Sequence, residues 1–261
     1  MRSLLMVPAH KQRCLDKCLN LGADALVFDL EDSVPVGMKS TALHMLRKFL
    51  QESAGDVVKP FVRVNPSAGK EEVAALQPWI YGVMLPKVEQ TLPRWCASYP
   101  TLLVIETAMA VLHLEELFRE SNVIGGVFGI GDYSADMGVI DRPWVGDVNT
   151  RFAFAKQKLA TVARAYDKMA IDTSFFVKGL NTEEETRRQW LEVAGWGFTG
   201  ASPIHPAQIP IANEVFSTSP REQKWSTSVI KETQRNENEV YVDSEGFVVG
   251  PPHLKQAKGR V

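Results

Sequence analysis

The run Leu102-Leu103-Val104-Ile105 closes on Glu106, and Gly125-Gly126-Val127-Phe128-Gly129-Ile130-Gly131 closes on Asp132. Each is a short apolar stretch, the pattern of a strand buried on both faces. Strands of that kind are covered by helices, so their polar side chains belong at their ends. Two carboxylates at the ends of nearby strands can converge on one point and offer the oxygen ligands that a hard divalent cation requires. The commoner fate of a buried acid is pairing with Lys or Arg. The surroundings of these two residues therefore decide their meaning.

The same pattern recurs from one end of the chain to the other. Apolar runs fall at Leu4–Val7, Ala25–Leu30, Phe61–Val64, Gly82–Leu85, Leu102–Ile105, Gly126–Ile130, Ala170–Phe176 and Thr199–Ile204. Amphipathic, helix-like segments separate them, among them Lys11–Leu21, Ser40–Glu52, Leu112–Glu120, Arg151–Tyr166 and Thr182–Ala194. Asn181-Thr182-Glu183-Glu184-Glu185 has the small polar residues and first-turn acids of a helix start. Strand–helix alternation repeated in this way predicts an α/β fold with parallel strands joined by crossovers. Eight such units are the number that closes a TIM-like (β/α)8 barrel. No Gly-x-Gly-x-x-Gly follows the first run, which removes the main signature of a dinucleotide-binding sheet.

Length and composition agree with such a barrel. The 261 residues suit one large domain, and 45% hydrophobic with 23% charged residues is ordinary for a soluble globular chain. A net charge of −2 and a pI near 6.2 give no electrostatic reason to expect nucleic acid or a membrane surface as partner. No stretch approaches the ~20 apolar residues of a membrane span, and the apolar run at residues 4–7 is too short for a secretory segment. Cys14, Cys18 and Cys96 lack the spacing of a zinc site and read as inert structural thiols. An odd number of cysteines without a signal sequence points to the reducing cytoplasm.

The C-terminal ends of the runs are rich in chemistry. The second leads into Asp29-Leu30-Glu31-Asp32, the third carries Arg63, the fourth ends in Pro86-Lys87, and the eighth runs into Ile204-His205-Pro206. In a parallel barrel these ends share one rim, where barrel active sites are built. Gathering so many charges on one rim is costly to desolvate without a function, so the pattern favours catalysis over structure. Barrel residues 1–216 are followed by a polar, proline-bearing extension, 217–261, that reads as a helix, a short hairpin-like turn and a truncated final helix. It has the character of a lid or subunit contact.

The order of these motifs resembles the citrate lyase β-subunit-like proteins of the HpcH/HpaI aldolase superfamily across nearly the whole chain. The matching pieces are Arg2-Ser3-Leu4-Leu5-Met6-Val7-Pro8, Asp29-Leu30-Glu31-Asp32-Ser33-Val34, Val62-Arg63-Val64-Asn65, Leu85-Pro86-Lys87-Val88-Glu89 and Ile105-Glu106-Thr107. Phe128-Gly129-Ile130-Gly131-Asp132-Tyr133, Asp136-Met137-Gly138 and Ile204-His205-Pro206-Ala207-Gln208-Ile209 complete the set. The resemblance implies a Mg²⁺-dependent carbon–carbon lyase. It would cleave a short 3-hydroxyacid thioester of citramalyl, malyl or citryl type to an α-oxo acid, such as pyruvate or oxaloacetate, and an acetyl thioester. The thioester would be carried by coenzyme A or an acyl carrier protein. The resemblance also implies Glu106 and Asp132 as metal ligands and Arg63 as the grip on the substrate carboxylate. Asp29, Glu31, Asp32 and Lys87 would form the surrounding charge network, and Ile204, His205 and Pro206 would line the thioester approach. A homotrimer or dimer of trimers is the implied assembly. The alternatives are a condensing or thioester-hydrolysing enzyme of malate synthase-like type, or a metal- and oxo-acid-binding subunit without turnover of its own.

Three departures stand out. Leu43 follows Lys39-Ser40-Thr41-Ala42 where the family carries Arg, and the chain stops at Val261, which implies a shortened last helix. Gly250, before Pro251-Pro252, stands where the malyl- and citramalyl-CoA lyase-like branch carries a lid Asp; glycine has no side-chain proton to exchange. Of the histidines, His205 reads as a turn-positioning residue, and His10, His44, His113 and His253 are unassigned. Trp79, Trp95, Trp190 and Trp196 read as packing residues, and no Gly-x-Ser-x-Gly elbow supports acyl-serine chemistry.

Overall fold

Strand β2, Ala25–Asp29, is buried along its entire length, and so is β5, Thr101–Ile105, as uninterrupted apolar runs require. A computed structural model describes residues 1–140, 142, 147–173, 181–236 and 240–260, the backbone alone at 181 and 182. In it β1 (Leu4–Pro8), β2, β3 (Pro60–Arg63), β4 (Gly82–Leu85), β5, β6 (Val123–Phe128), β7 (Met169–Thr173) and β8 (Gly200–Ser202) pair in sequence order, every pair parallel. The circuit closes where Ser3 bridges Ala201, the Met6 N–H donates to Pro203 O at 2.9 Å and Ser202 Oγ donates to Leu4 O at 3.2 Å. The result is the (β/α)8 barrel expected from the alternation.

Side chains alternate across the barrel wall with the two-residue period of a strand. Leu4, Val27, Phe61, Met84, Leu102, Val104, Val127 and Ile171 fill the interior. Leu5, Phe28, Val62, Leu85, Leu103 and Phe128 face outward against the helical layer, where Leu46, Leu76, Leu117, Leu159 and Trp190 cover them.

The helices around the barrel are α1 (Gln12–Cys18), α2 (Lys39–Glu52), α3 (Gly69–Leu76), α4 (Ala108–Leu112), α5 (Leu114–Arg119), α6 (Ile130–Asp136), α7 (Val148–Ala165), α8 (Asn181–Gly195) and α9 (Ile209–Val215). Three of the differences from the sequence reading have a local cause. The segment Leu112–Glu120 is two short helices, because His113 takes a non-helical conformation (φ −97°, ψ 16°) and ends α4 before α5 begins. The sixth strand stops at Phe128, and residues 130–132, read as strand, open helix α6. The eighth strand is only three residues, because Pro203 cannot extend the ladder and the chain turns into the short helix Pro206–Gln208. The expected tail of strand seven, residues 174–176, lies outside the described residues.

Residues Met1–Phe216 and Ser217–Val261 separate into two compact units. The smaller holds α10 (Pro220–Arg235), the antiparallel pair β9 (Tyr241–Val242) and β10 (Val248–Val249), and α11 (Pro251–Lys258), the succession read from the sequence. Ser219 and Glu222 form a reciprocal cap at the start of α10. A small core of Val229, Val249 and Ala257, flanked by Trp225 and Tyr241, holds the unit together.

Candidate active site

The parallel order carries the C-terminal ends of β2 to β6 to one rim, and the register sets their functional residues side by side. Asp29 pairs in register with Arg63 across β2 and β3. Arg63 donates from Nε to Asp29 Oδ1 at 2.8 Å and from Nη2 to Asp29 Oδ2 at 2.6 Å. The same carboxylate accepts the backbone N–H groups of Glu31 (2.8 Å) and Ser33 (3.0 Å). Burial alone would raise the Asp29 pKa, but these donors outweigh it and hold the carboxyl below its usual range. The sequence reading assigned Arg63 to a substrate carboxylate. The side-on face of its fork is already spent on Asp29, so only the end-on N–H groups remain for another anion. Beyond that end lie Glu31 Oε2 at 3.9 Å and Asp32 Oδ2 at 3.8 Å from Nη1.

Glu31 and Asp32 act on each other. Glu31 Oε2 accepts the Asp32 N–H at 2.9 Å, and Lys87 Nζ reaches both carboxylates, at 3.3 and 3.4 Å. Burial and the neighbouring Asp32 push the Glu31 carboxyl up, whereas Glu31, Arg63 and Lys87 overcome burial to lower that of Asp32. Lys39, flagged by the sequence only for the Arg missing after it, anchors this loop from α2. Its ammonium donates to Leu30 O at 2.7 Å and to Glu31 O.

Lys87 connects this cluster to Glu106. It takes the left-handed conformation (φ 57°) after β4, and its backbone N–H donates to Glu106 Oε1 at 2.8 Å. Glu106 is 2% exposed, and burial first, then the like charge of Asp132, raises its pKa to about 7. Asp132 is in the first turn of α6 and exposed, not at a buried strand end as expected. The reason is Gly129: a Cβ there would fall 2.8 Å from Glu106 Cβ, 2.9 Å from Val104 Cγ1 and 3.0 Å from Glu106 Oε2. The backbone passes too close to Glu106 for any side chain, leaves the ladder at that point and turns into α6.

The like charge of Asp132 acts on Glu106. Among the described residues neither has a Lys, Arg or His ion-pair partner, and no set of three or more His, Cys, Asp or Glu side chains surrounds them. A buried carboxylate raised by a second one is relieved by a hard cation, which takes oxygen ligands and retains waters around one or two carboxylates. Glu106 and Asp132 fit that donor set.

Other residues fall where the sequence did not place them. Asp136, one turn beyond Asp132, accepts the Ala108 N–H at 2.7 Å and so ties α6 to the helix that follows Glu106. Ala9 N–H donates to Asp29 O at 3.2 Å, which brings the unassigned His10 to the rim beside β2, with its Nδ1 buried and unpartnered. His205 Nδ1 accepts the Ala207 N–H at 3.2 Å and its own N–H donates to Gln208 Oε1 at 3.2 Å, the turn-positioning role expected of it. Ile204 is 47% exposed beside it, and its N–H donates to the same Gln208 oxygen at 2.9 Å; Pro206 opens the short helix. Gly250 caps α11 with an N–H donated to His253 Nδ1 at 3.1 Å and brings no side chain. The three thiols are unpaired, and burial pushes that of Cys18 up to about 12 and raises that of Cys96, which leaves both unreactive.

A (β/α)8 barrel with acids and cations gathered on its C-terminal rim has the architecture of a barrel enzyme. The profile of the HpcH/HpaI aldolase/citrate lyase family matches residues 2–92 and 95–206, and the chain belongs to that family. Among its relatives, the mitochondrial citramalyl-CoA lyase of Homo sapiens is 30% identical over 295 aligned positions, spanning 100% of this chain and 84% of that protein. A (3S)-malyl-CoA thioesterase of Cereibacter sphaeroides is 31% identical over 269, spanning 98% and 92%. The crystal structure of CitE from Mycobacterium tuberculosis in complex with magnesium, acetoacetate and coenzyme A superposes with a TM-score of 0.84 at 23% identity, covering 99% of this chain and 97% of that one.

Proposed function

We propose that this protein is a Mg²⁺-dependent carbon–carbon lyase that cleaves a short 3-hydroxyacyl-CoA thioester to an α-oxo acid and acetyl-CoA. The observation that carries the reading is the like charge of Asp132 on the buried Glu106 at the rim, neither acid having a direct Lys, Arg or His ion pair among the described residues. Glu106 and Asp132 would hold Mg²⁺, which would supply Lewis-acid polarisation of the oxygen on the carbon being cleaved. In this reading Arg63, fixed by Asp29, offers the carboxylate of the oxo-acid half the end-on N–H groups that otherwise face Glu31 and Asp32. Lys87 draws the charge of Glu31 and Asp32 to one side of the site and holds Glu106 through its amide. Ile204, His205 and Pro206 line the approach of the thioester, with His205 as the fixed point of the turn.

Citramalyl-CoA is the substrate type favoured by the likeness to the human lyase, and a malyl thioester by the likeness to the thioesterase. The latter also supports hydrolysis or the reverse condensation as a second reading. A binding subunit without turnover is the reading supported by Gly250. The smaller unit exposes Val240, Val242, Phe247 and Val248, a surface that supports a lid or subunit-contact role in a homotrimer or dimer of trimers. Unpaired thiols support a reducing compartment such as the cytoplasm, and no helix among the described residues is long and apolar enough to cross a membrane.

The deciding experiment offers citramalyl-, malyl- and citryl-CoA with Mg²⁺ and measures release of pyruvate, glyoxylate and oxaloacetate alongside free thiol. Oxo acid with acetyl-CoA supports the lyase, and free thiol without carbon–carbon cleavage supports the thioesterase. Undiminished turnover in EDTA removes the metal from the mechanism. Oxo-acid binding with no product from any thioester leaves the binding subunit.

A further inference from the structure

Behind the rim, on the outer face of the barrel wall, lies a fully buried ion pair that the site does not use. Lys156 of α7 and Asp172 of β7 are each 0% exposed, with Lys156 Nζ 2.8 Å from Asp172 Oδ1. The ammonium also donates to the buried Asn149 Oδ1 at 2.8 Å, and Asn149 in turn donates to Gln189 O at 3.1 Å and Glu192 Oε2 at 2.8 Å. The network thus joins α7, β7 and α8. A pair so far from water gains little stability over apolar residues of similar size, because desolvation offsets the attraction. Its contacts show what else it does. Lys156 Nζ lies 5.5 Å from the centre of the Phe128 ring, and Thr173, next to Asp172, donates from Oγ1 to Phe128 O at 2.8 Å. Phe128 is therefore held at both its ring and its carbonyl. It is the last residue of β6, next to Gly129, whose backbone runs beside Glu106, and its ring lies tilted 5.1 Å from that of Tyr133, which follows Asp132.

We propose that the buried Lys156–Asp172 pair is a positioning element that, through Phe128, fixes the exit of β6 and hence the spacing of Asp132 from Glu106. The proposal rests on the assignment of those two acids as cation ligands. The Gly129 backbone runs beside Glu106 with no room for a side chain between them, so a shift of the strand end changes the distance between Asp132 and Glu106.

The test compares wild type with K156M/D172L, which replaces the pair by apolar residues, using thermal denaturation and calorimetric titration with Mg²⁺ alone. The double variant is expected to melt within a few degrees of wild type and to bind Mg²⁺ roughly ten-fold more weakly, the factor that 1.4 kcal/mol represents. Phe128→Leu, which keeps an apolar side chain but loses the ring, probes the same chain of contacts if the double variant does not fold, and is expected to weaken Mg²⁺ several-fold. Mg²⁺ affinity within two-fold of wild type in a folded variant overturns the positioning role and leaves the metal site standing. No Mg²⁺ binding by wild type overturns the metal site itself, and the positioning role with it.

Discussion

Lys87 donates its backbone N–H to Glu106 Oε1 at 2.8 Å from a left-handed backbone conformation with φ of 57°. The strained geometry aims the amide at a buried carboxylate while the side chain turns back to Glu31 and Asp32. Strain and charge can be separated by substitution. Lys87→Ala and Lys87→Gly both lose the ammonium, but only glycine adopts positive φ freely. The glycine variant is expected to be more stable than the alanine variant by about 0.5–1 kcal/mol, after allowing for its greater unfolded-state entropy. Urea denaturation of the two variants measures it; equal midpoints would show that φ at this position carries no strain.

Glu106 makes stability depend on pH in a defined direction. Its folded-state pKa of about 7 lies above the unfolded value near 4.5, so the folded state binds the extra proton. The stability this contributes is complete below pH 4.5 and lost as pH rises through 7, an effect of up to about 3 kcal/mol. In metal-free protein, Glu106→Gln is expected to flatten that part of the profile and raise stability at pH 8, while eliminating Mg²⁺ binding. Denaturation between pH 5 and 8 in EDTA, wild type against variant, reads both the slope and its removal.

Gly129→Ala inserts a methyl group 2.8 Å from Glu106 Cβ and 2.9 Å from Val104 Cγ1. Val104 belongs to β5 and Glu106 directly follows it, and a Cβ moves only with its backbone, so relief at Glu106 requires the backbone to move. A loss of about 1–3 kcal/mol follows, with weakened Mg²⁺ binding in the fraction that folds. An alanine variant as stable as wild type would show that the exit of β6 is looser than these distances state.

Gly250→Asp tests the departure from the family's lid sequence. The residue is extended (φ −150°, ψ −168°), a conformation open to any amino acid, and a Cβ would lie 3.3 Å from the side-chain Cγ2 of Val240. Asp in place of Gly at the cap of α11 is expected to add about a few tenths of a kcal/mol of stability. If the protein is a lyase limited by proton transfer, turnover rises, within the range of about 10²–10⁴ that a positioned acid–base group supplies. Thermal denaturation reads the first effect and oxo-acid release the second; a stabilised variant with unchanged turnover places the proton-moving group elsewhere.

The barrel was legible because its signal is local and repeated: each strand is a short apolar run, and each rim residue follows one directly. Arg63, Lys87 and Glu106 are placed on the rim by that pattern, and their roles come from the family resemblance. Asp132 was misplaced because Gly-Gly-Val-Phe-Gly-Ile-Gly carries no period that separates the end of a strand from the start of a helix. Ile130 is buried in either case. Lys156 and Asp172 were invisible for a different reason. A lysine in an amphipathic helix reads as a solvated residue, an acid inside an apolar run reads as part of the strand, and only the crossover between them brings the two charges together. The engagement of Arg63 by Asp29 likewise depends on the β2–β3 register, which neither sequence motif contains.

Closure of the barrel joins Ser3 to Ala201, and this seam has a consequence for how the chain is made. The first strand can pair with β2 early in synthesis, yet its other edge stays unpaired until nearly the whole larger unit has left the ribosome. Contacts that far apart in sequence are slow to form, and an open parallel edge is prone to wrong partners while it waits. The seam is therefore the last joint of the barrel wall to become available as the chain is made.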